Sequence, residues 1–159
     1  MDKPSYVNFN HSTYEWKGDI DYRQQPHLYK IGKGQQGVLT CEPYKSEILP
    51  YWRFKTPEIA KAAADAILQL FNGYVEDGDF VGADMAKKFL HMGYTRSRRY
   101  ANHKTGRKWQ ESSDGWKILP QDHDPVKAAS AEIFLDAWTT AREDEVYLRM
   151  RAEFTAKYA

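Results

Sequence analysis

Apolar and polar positions along the chain fall into a helical rhythm after residue 56. Ile59, Ala63, Ile67, Leu70, Phe71 and Tyr74 recur at the spacing that places side chains on one helix face. Thr56 reads as the N-cap and Pro57 as the first helical residue, where its missing N–H costs nothing. Asp77-Gly78-Asp79 breaks this helix, and Asp79 reads as the N-cap of the next. That second helix is predicted over 80–92, with Phe80, Ala83, Met85, Phe89 and Leu90 as a partial apolar stripe and Gly93 as its C-terminal stop. A short third helix is predicted from Tyr94 or Thr95 to about His103, stopped by Gly106. Residues 105–124 are rich in Ser, Gly and Asp and predict a loop anchored by Trp109 and Trp116. Asp124-Pro125 repeats the cap-and-proline start, followed by Val126, Ala129, Ile133, Phe134 and Ala137. A last helix begins near Glu143-Asp144-Glu145, acids that suit a helix N-terminus, and presents Tyr147, Met150, Phe154 and Tyr158.

Upstream the rhythm is different. Residues 1–25 are polar and aromatic and predict an extended arm. Residues 27–42 predict a β-hairpin: His27-Leu28-Tyr29-Lys30-Ile31 and Val38-Leu39-Thr40-Cys41 are β-prone runs around a glycine-rich turn. Pro43, Pro50 and Pro57 punctuate the next stretch. Within it Tyr51, Arg53 and Lys55 alternate with Trp52 and Phe54, so an extended backbone would wet one set and bury the other. The predicted fold class is α+β: a helix-dominated single domain, mostly helical over 57–158, with a small antiparallel β-hairpin near the N-terminus. Neither an internal repeat nor a low-complexity tract is found.

Composition narrows the class. With 159 residues the chain can bury roughly 70% of its unfolded surface and needs no covalent staple. Cys41 is the single cysteine, which excludes a disulfide framework and a zinc ribbon; it reads as a buried, inert thiol. The first residues lack the apolar core of a signal peptide, and the longest apolar stretch is interrupted by Asp65 and Gln69. No membrane association is expected, and the default location is the cytoplasm.

Charge changes the picture most. The net charge is +1, from 23 Lys and Arg against 22 Asp and Glu. Residues 85–110 contain no acid but hold Lys87, Lys88, Arg96, Arg98, Arg99, Lys104, Arg107 and Lys108. That window carries +8, which leaves −7 for the remainder. Such a block either binds an external anion or pairs with internal acids. Arg96, Arg99 and His103 share a helical face, with Tyr100 beside them and Arg98 turned away. Aromatic residues make up 14% of the chain, and Tyr94, Tyr100 and Trp109 lie among these cations. Cations for phosphates and rings for bases are what a single-strand binder uses.

Other motifs carry less. Gly32-Lys33-Gly34-Gln35-Gln36-Gly37 has the glycine spacing of a dinucleotide loop, but a strand rather than a helix is predicted after it, so the pyrophosphate site is missing. Lys33 could still offer a cation at the turn. Glu76, Asp77, Asp79 and Asp84 lack calcium-loop spacing, and the five histidines form no zinc pair, so no metal or cofactor is expected. Asp84 and His91, seven residues apart, could form an acid–base dyad on one helix face.

The stretches LYKIGKGQQGVLTCEPYKSEILPYWRFKTPEIA (28–60) and DFVGADMAKKFLHMGYTRSRRYANHKTGRKW (79–109) resemble a small family of uncharacterised bacterial and phage proteins known only as a domain of unknown function. The resemblance extends loosely over most of the chain. It implies a compact cytosolic protein and brings no activity, cofactor or catalytic residue. The leading expectation from the residues is a non-enzymatic protein that binds phosphate groups, of single-stranded nucleic acid or a nucleotide. The sites would be Arg96, Arg99, Tyr100, His103, Lys104, Arg107, Lys108 and Trp109, with Lys33 and Arg53 added. One alternative is a small enzyme acting on a nucleotide or phosphate ester, with Asp84 and His91 as acid and base. Another is an interaction protein whose arginines pair internally.

Overall fold

Helix α3 (Phe80–Asn102) is the axis of the molecule, and α1 (Tyr44–Ile48), α2 (Pro57–Glu76), α4 (Pro125–Arg142) and α5 (Glu145–Tyr158) all pack against it. The computed structural model describes residues 16–32, 37–103, 107–121 and 123–158. Among these, the only sheet is a two-stranded antiparallel hairpin, β1 (Trp109–Ser112) and β2 (Gly115–Ile118). The fold is therefore helix-dominated with a small antiparallel sheet. Tight side-chain caps start the helices where the sequence places them. Thr56 Oγ1 accepts from Ile59 N–H at 3.2 Å, Asp79 from Gly82 N–H at 3.0 Å, and Asp124 from Val126 N–H at 2.9 Å.

The sheet lies at 109–118, not at 27–42. The two β-prone runs instead contain single 3₁₀ turns, Pro26–Leu28 and Val38–Thr40. Pro26 presets the first turn's φ and lacks an N–H for a ladder. Tyr29, Val38 and Cys41 are buried in the main core, so their apolar character serves packing rather than strand pairing. Residues 33–36 of the expected turn lie outside the described residues, as do residues 1–15 of the expected arm. The described part of that arm is not simply extended: Trp16 and Tyr22 are buried, and it bends through turns. The region read as a loop forms the hairpin, with Trp109 opposite Ile118 and Glu111 opposite Trp116. Ser113-Asp114 makes the turn, and Gly115 takes φ 109°, which only glycine adopts readily.

Two expected helices are one. α3 runs through Gly93 without interruption. A Cβ built on Gly93 would lie 2.3 Å from Cδ1 of the buried Phe134. This glycine lets α4 approach α3 and is not a terminator. At 51–55 no strand forms, yet the alternation holds: Trp52 and Phe54 are half-buried while Tyr51, Arg53 and Lys55 are exposed. Trp52 Nε1–H donates to the Phe89 carbonyl at 3.0 Å, fastening this segment to α3.

Candidate nucleic-acid interface

The last two turns of α3 carry Arg96, Arg98, Arg99 and Tyr100, and His103 follows as the C-cap. Ser97 and Ala101 are buried, so the helix turns its inner face to the core and leaves the arginines outward. The chain after α3 folds back on this end. His103 Nδ1–H donates to the Pro120 carbonyl at 3.1 Å, and Asp124 N–H donates to the Ala101 carbonyl at 2.9 Å. Leu119 N–H donates to the Lys108 carbonyl at 2.7 Å and extends the hairpin ladder. These bonds set β1 and β2 beside the arginines.

The result is an open cavity of about 720 Å³ lined by Arg96, Arg99, Arg107, Lys108, Trp109 and Trp116, with Gln110 and Glu111 at its wall. Lys108 Nζ lies 5.9 Å from the centroid of the Trp109 ring. A smaller cavity of about 220 Å³ opens beside it, between Arg98, Arg99, Tyr94 and Gln121. Among the described residues, no carboxylate lies within ion-pair distance of Arg96, Arg98 or Arg99. Arg96, Arg107 and Lys108 are exposed and Arg98, Arg99 and Trp109 are half-buried. The cluster therefore joins positive charge to indole surface at a concave, wet site. Such a site attracts a polyanion and offers faces for planar groups.

The remaining expected site residues divide. His103 is only 4% exposed and bonded through its ring, so it positions the 119–121 segment at the wall of the smaller cavity. Tyr100 is 39% exposed, one turn beyond Arg96 on α3. There it lines a third cavity of about 500 Å³ with Arg53, Phe54, Lys55 and Lys127. Lys104 and Lys33 lie outside the described residues. Neither Gly32 nor Gly37, the described ends of the glycine-rich turn, lines either cavity at Arg96 and Arg99. Gly32 instead gives its carbonyl to the buried Lys88 ammonium at 2.9 Å.

The two dyad candidates are engaged separately. Asp84 is fully buried; its carboxylate accepts from the Tyr29 hydroxyl and, at 2.6 Å, from the Tyr147 hydroxyl, with Lys87 Nζ at 3.4 Å. Burial and the adjoining carboxylate push both phenols above their ordinary range. His91 stacks on Trp138 at 4.3 Å with an interplanar angle of 11°, and Arg142 lies 4.3 Å from the centroid of the same indole. Burial, aided by Lys88, Lys87 and Arg142, holds the imidazole below its ordinary value. Cys41 is buried and its thiol is pushed up by burial.

Sequence reasoning missed Trp116 and Lys127 as parts of this surface. Asp114-Gly115 was the available hairpin signal for Trp116, because a tight turn there puts residues 109 and 116 on one face of the ribbon as diagonal neighbours. Lys127 carries no local signal; it reaches the site because α4 starts beside the 53–55 segment, where its ammonium donates to the Lys55 carbonyl at 2.7 Å.

None of the described helices is long and apolar enough to cross a membrane. No curated protein and no solved structure shows significant similarity to the chain. A family model matches residues 13–157 and so spans the fold, the glycine-rich turn and the basic cluster together. The chain belongs to the family described as domain of unknown function DUF4385.

Proposed function

We propose that this protein binds nucleic acid, without catalysis, through the surface formed by Arg96, Arg98, Arg99, Arg107, Lys108 and Trp109. One observation carries the reading: these cations line two adjoining open cavities that share Arg99 and Lys108, and no described carboxylate pairs with the three arginines. Four cations against the one wall carboxylate of Glu111 leave the larger cavity net positive, and a phosphate backbone relieves that excess while releasing its own counterions. The location taken with this reading is the cytoplasm, where a single buried thiol suits a reducing medium.

The test is a fluorescence-anisotropy titration with labelled oligonucleotides over a range of salt. Binding should weaken linearly with log salt. Arg96→Ala with Arg99→Ala should make the slope shallower by roughly 0.7 for each single-strand phosphate that is no longer neutralised. Absence of binding at low salt, to DNA and RNA alike, refutes the reading.

A further inference from the structure

The aromatic surface near the arginines is split in two. One part is Trp109 and Trp116 of the hairpin, in the cavity with Arg96. The other part is Tyr100, one helical turn beyond Arg96 on α3, in the cavity with Arg53, Phe54, Lys55 and Lys127. Tyr100 is braced from within. Its ring leans on Phe54 at 6.1 Å, and Phe54 leans on Trp52 at 5.1 Å and on the buried Phe134 at 6.5 Å. The tyrosine is thus held in place while 39% of it stays open to solvent. Stacking on a ring that is already held costs little ordering entropy, which is what a base platform needs. The cavity beside it is lined by three cations and no acid.

We propose that this surface takes an unpaired strand at two base-stacking subsites, one at Trp109 and Trp116 and one at Tyr100, with Arg96 holding the phosphates between them. The inference rests on the nucleic-acid reading above and deepens it by naming the ligand class. Bases inside a duplex present their faces to one another and have none to offer Tyr100. A mononucleotide can fill only one subsite. A strand of several unpaired nucleotides can fill both, because Arg96, which lines the hairpin cavity, precedes Tyr100 by four residues and Arg99 by three and so shares a helix face with the tyrosine of the other cavity. The chemistry used is phosphate charge and base faces, which DNA and RNA share.

The test compares oligo-dT and oligo-U of about fifteen and about three nucleotides with a duplex of about fifteen base pairs, against wild type, Tyr100→Leu, Tyr100→Phe and Arg96→Ala. The long single strands should bind tightest, and the short ones and the duplex more weakly. Tyr100→Leu should weaken long-strand binding roughly ten-fold with an unchanged salt slope, since stacking releases no counterions. Tyr100→Phe, which keeps the ring and its bracing, should bind as wild type does. Arg96→Ala should instead make the slope shallower. If wild type binds but Tyr100→Leu equals it, or the duplex binds as well as the strand, the two-subsite inference is overturned and the nucleic-acid reading stands. If wild type binds none of the probes, the nucleic-acid reading itself falls.

Discussion

Gly93 and Gly73 are both helical, yet their surroundings oppose each other. A Cβ at Gly93 would meet three carbons of the Phe134 ring within 2.6 Å, whereas a Cβ at Gly73 meets nothing within 4 Å. Alanine is the better helix former by about 1 kcal/mol, and that gain applies at both sites. At Gly93 the buried ring must move, and overpacking typically costs about 1–3 kcal/mol. Gly93→Ala should therefore lower the unfolding free energy, while Gly73→Ala should raise it by about 0.4–1 kcal/mol. Urea unfolding of the two variants reads both signs in one experiment. The same pair explains what was readable in the sequence at this scale. Caps were, because Thr56, Asp79 and Asp124 bond to N–H groups two or three residues away. Gly93 was not, because its reason is Phe134, on another helix.

At the scale of elements, the contact of α3 with α4 carries a titratable group. His91 of α3 is packed on Trp138 of α4 and faces Lys87, Lys88 and Arg142. Its folded-state pKa lies below the ordinary value near 6.5. As pH falls through that value the unfolded chain takes up the proton first, so unfolding is favoured. The contribution of this pair is full above about pH 6.5 and is lost as pH falls toward the depressed folded value. Urea midpoints at about pH 7.5 and about pH 5.5 should differ less in His91→Gln than in wild type. Elements also mark the limit of the sequence reading. The starts of α2 to α5 and the alternation at 51–55 were legible because each is set within a few residues, whereas the start expected at Tyr94 or Thr95 lies inside α3 and α1 was not foreseen. The misplaced hairpin was not, because Tyr29, Val38 and Cys41 are apolar to fill the bundle, and period alone does not separate that use from a strand. The basic cluster was legible as a run of charge. Its cavity was not, since that depends on β1 and β2 folding back onto α3.

For the whole molecule, net charge +1 conceals a division of labour. The cations at the end of α3 are left open, while those in its middle serve the interior: Lys87 lies near Asp84, and Lys88 bonds to Gly32 and lies 5.7 Å from the centroid of the Trp16 ring. The interior pole of this arrangement is the Asp84 carboxylate, which joins the N-terminal segment, α3 and α5. Tyr29→Phe keeps the ring and its stacking on Trp16 but removes one hydroxyl from a buried charge. A hydrogen bond to a charged group contributes about 1.5–3 kcal/mol, and the variant should lose that much stability in denaturant unfolding.

The same carboxylate ties together segments far apart in the chain. Its first partner, Tyr29, precedes it by 55 residues, and its last, Tyr147, follows it by 63. A chain without the 14-residue α5 therefore keeps Tyr29 and Lys87 beside this carboxylate but lacks the Tyr147 hydroxyl. The final helix completes the solvation of the centre, so a chain clipped before Tyr147 would be left with an interior defect, not merely a shorter end.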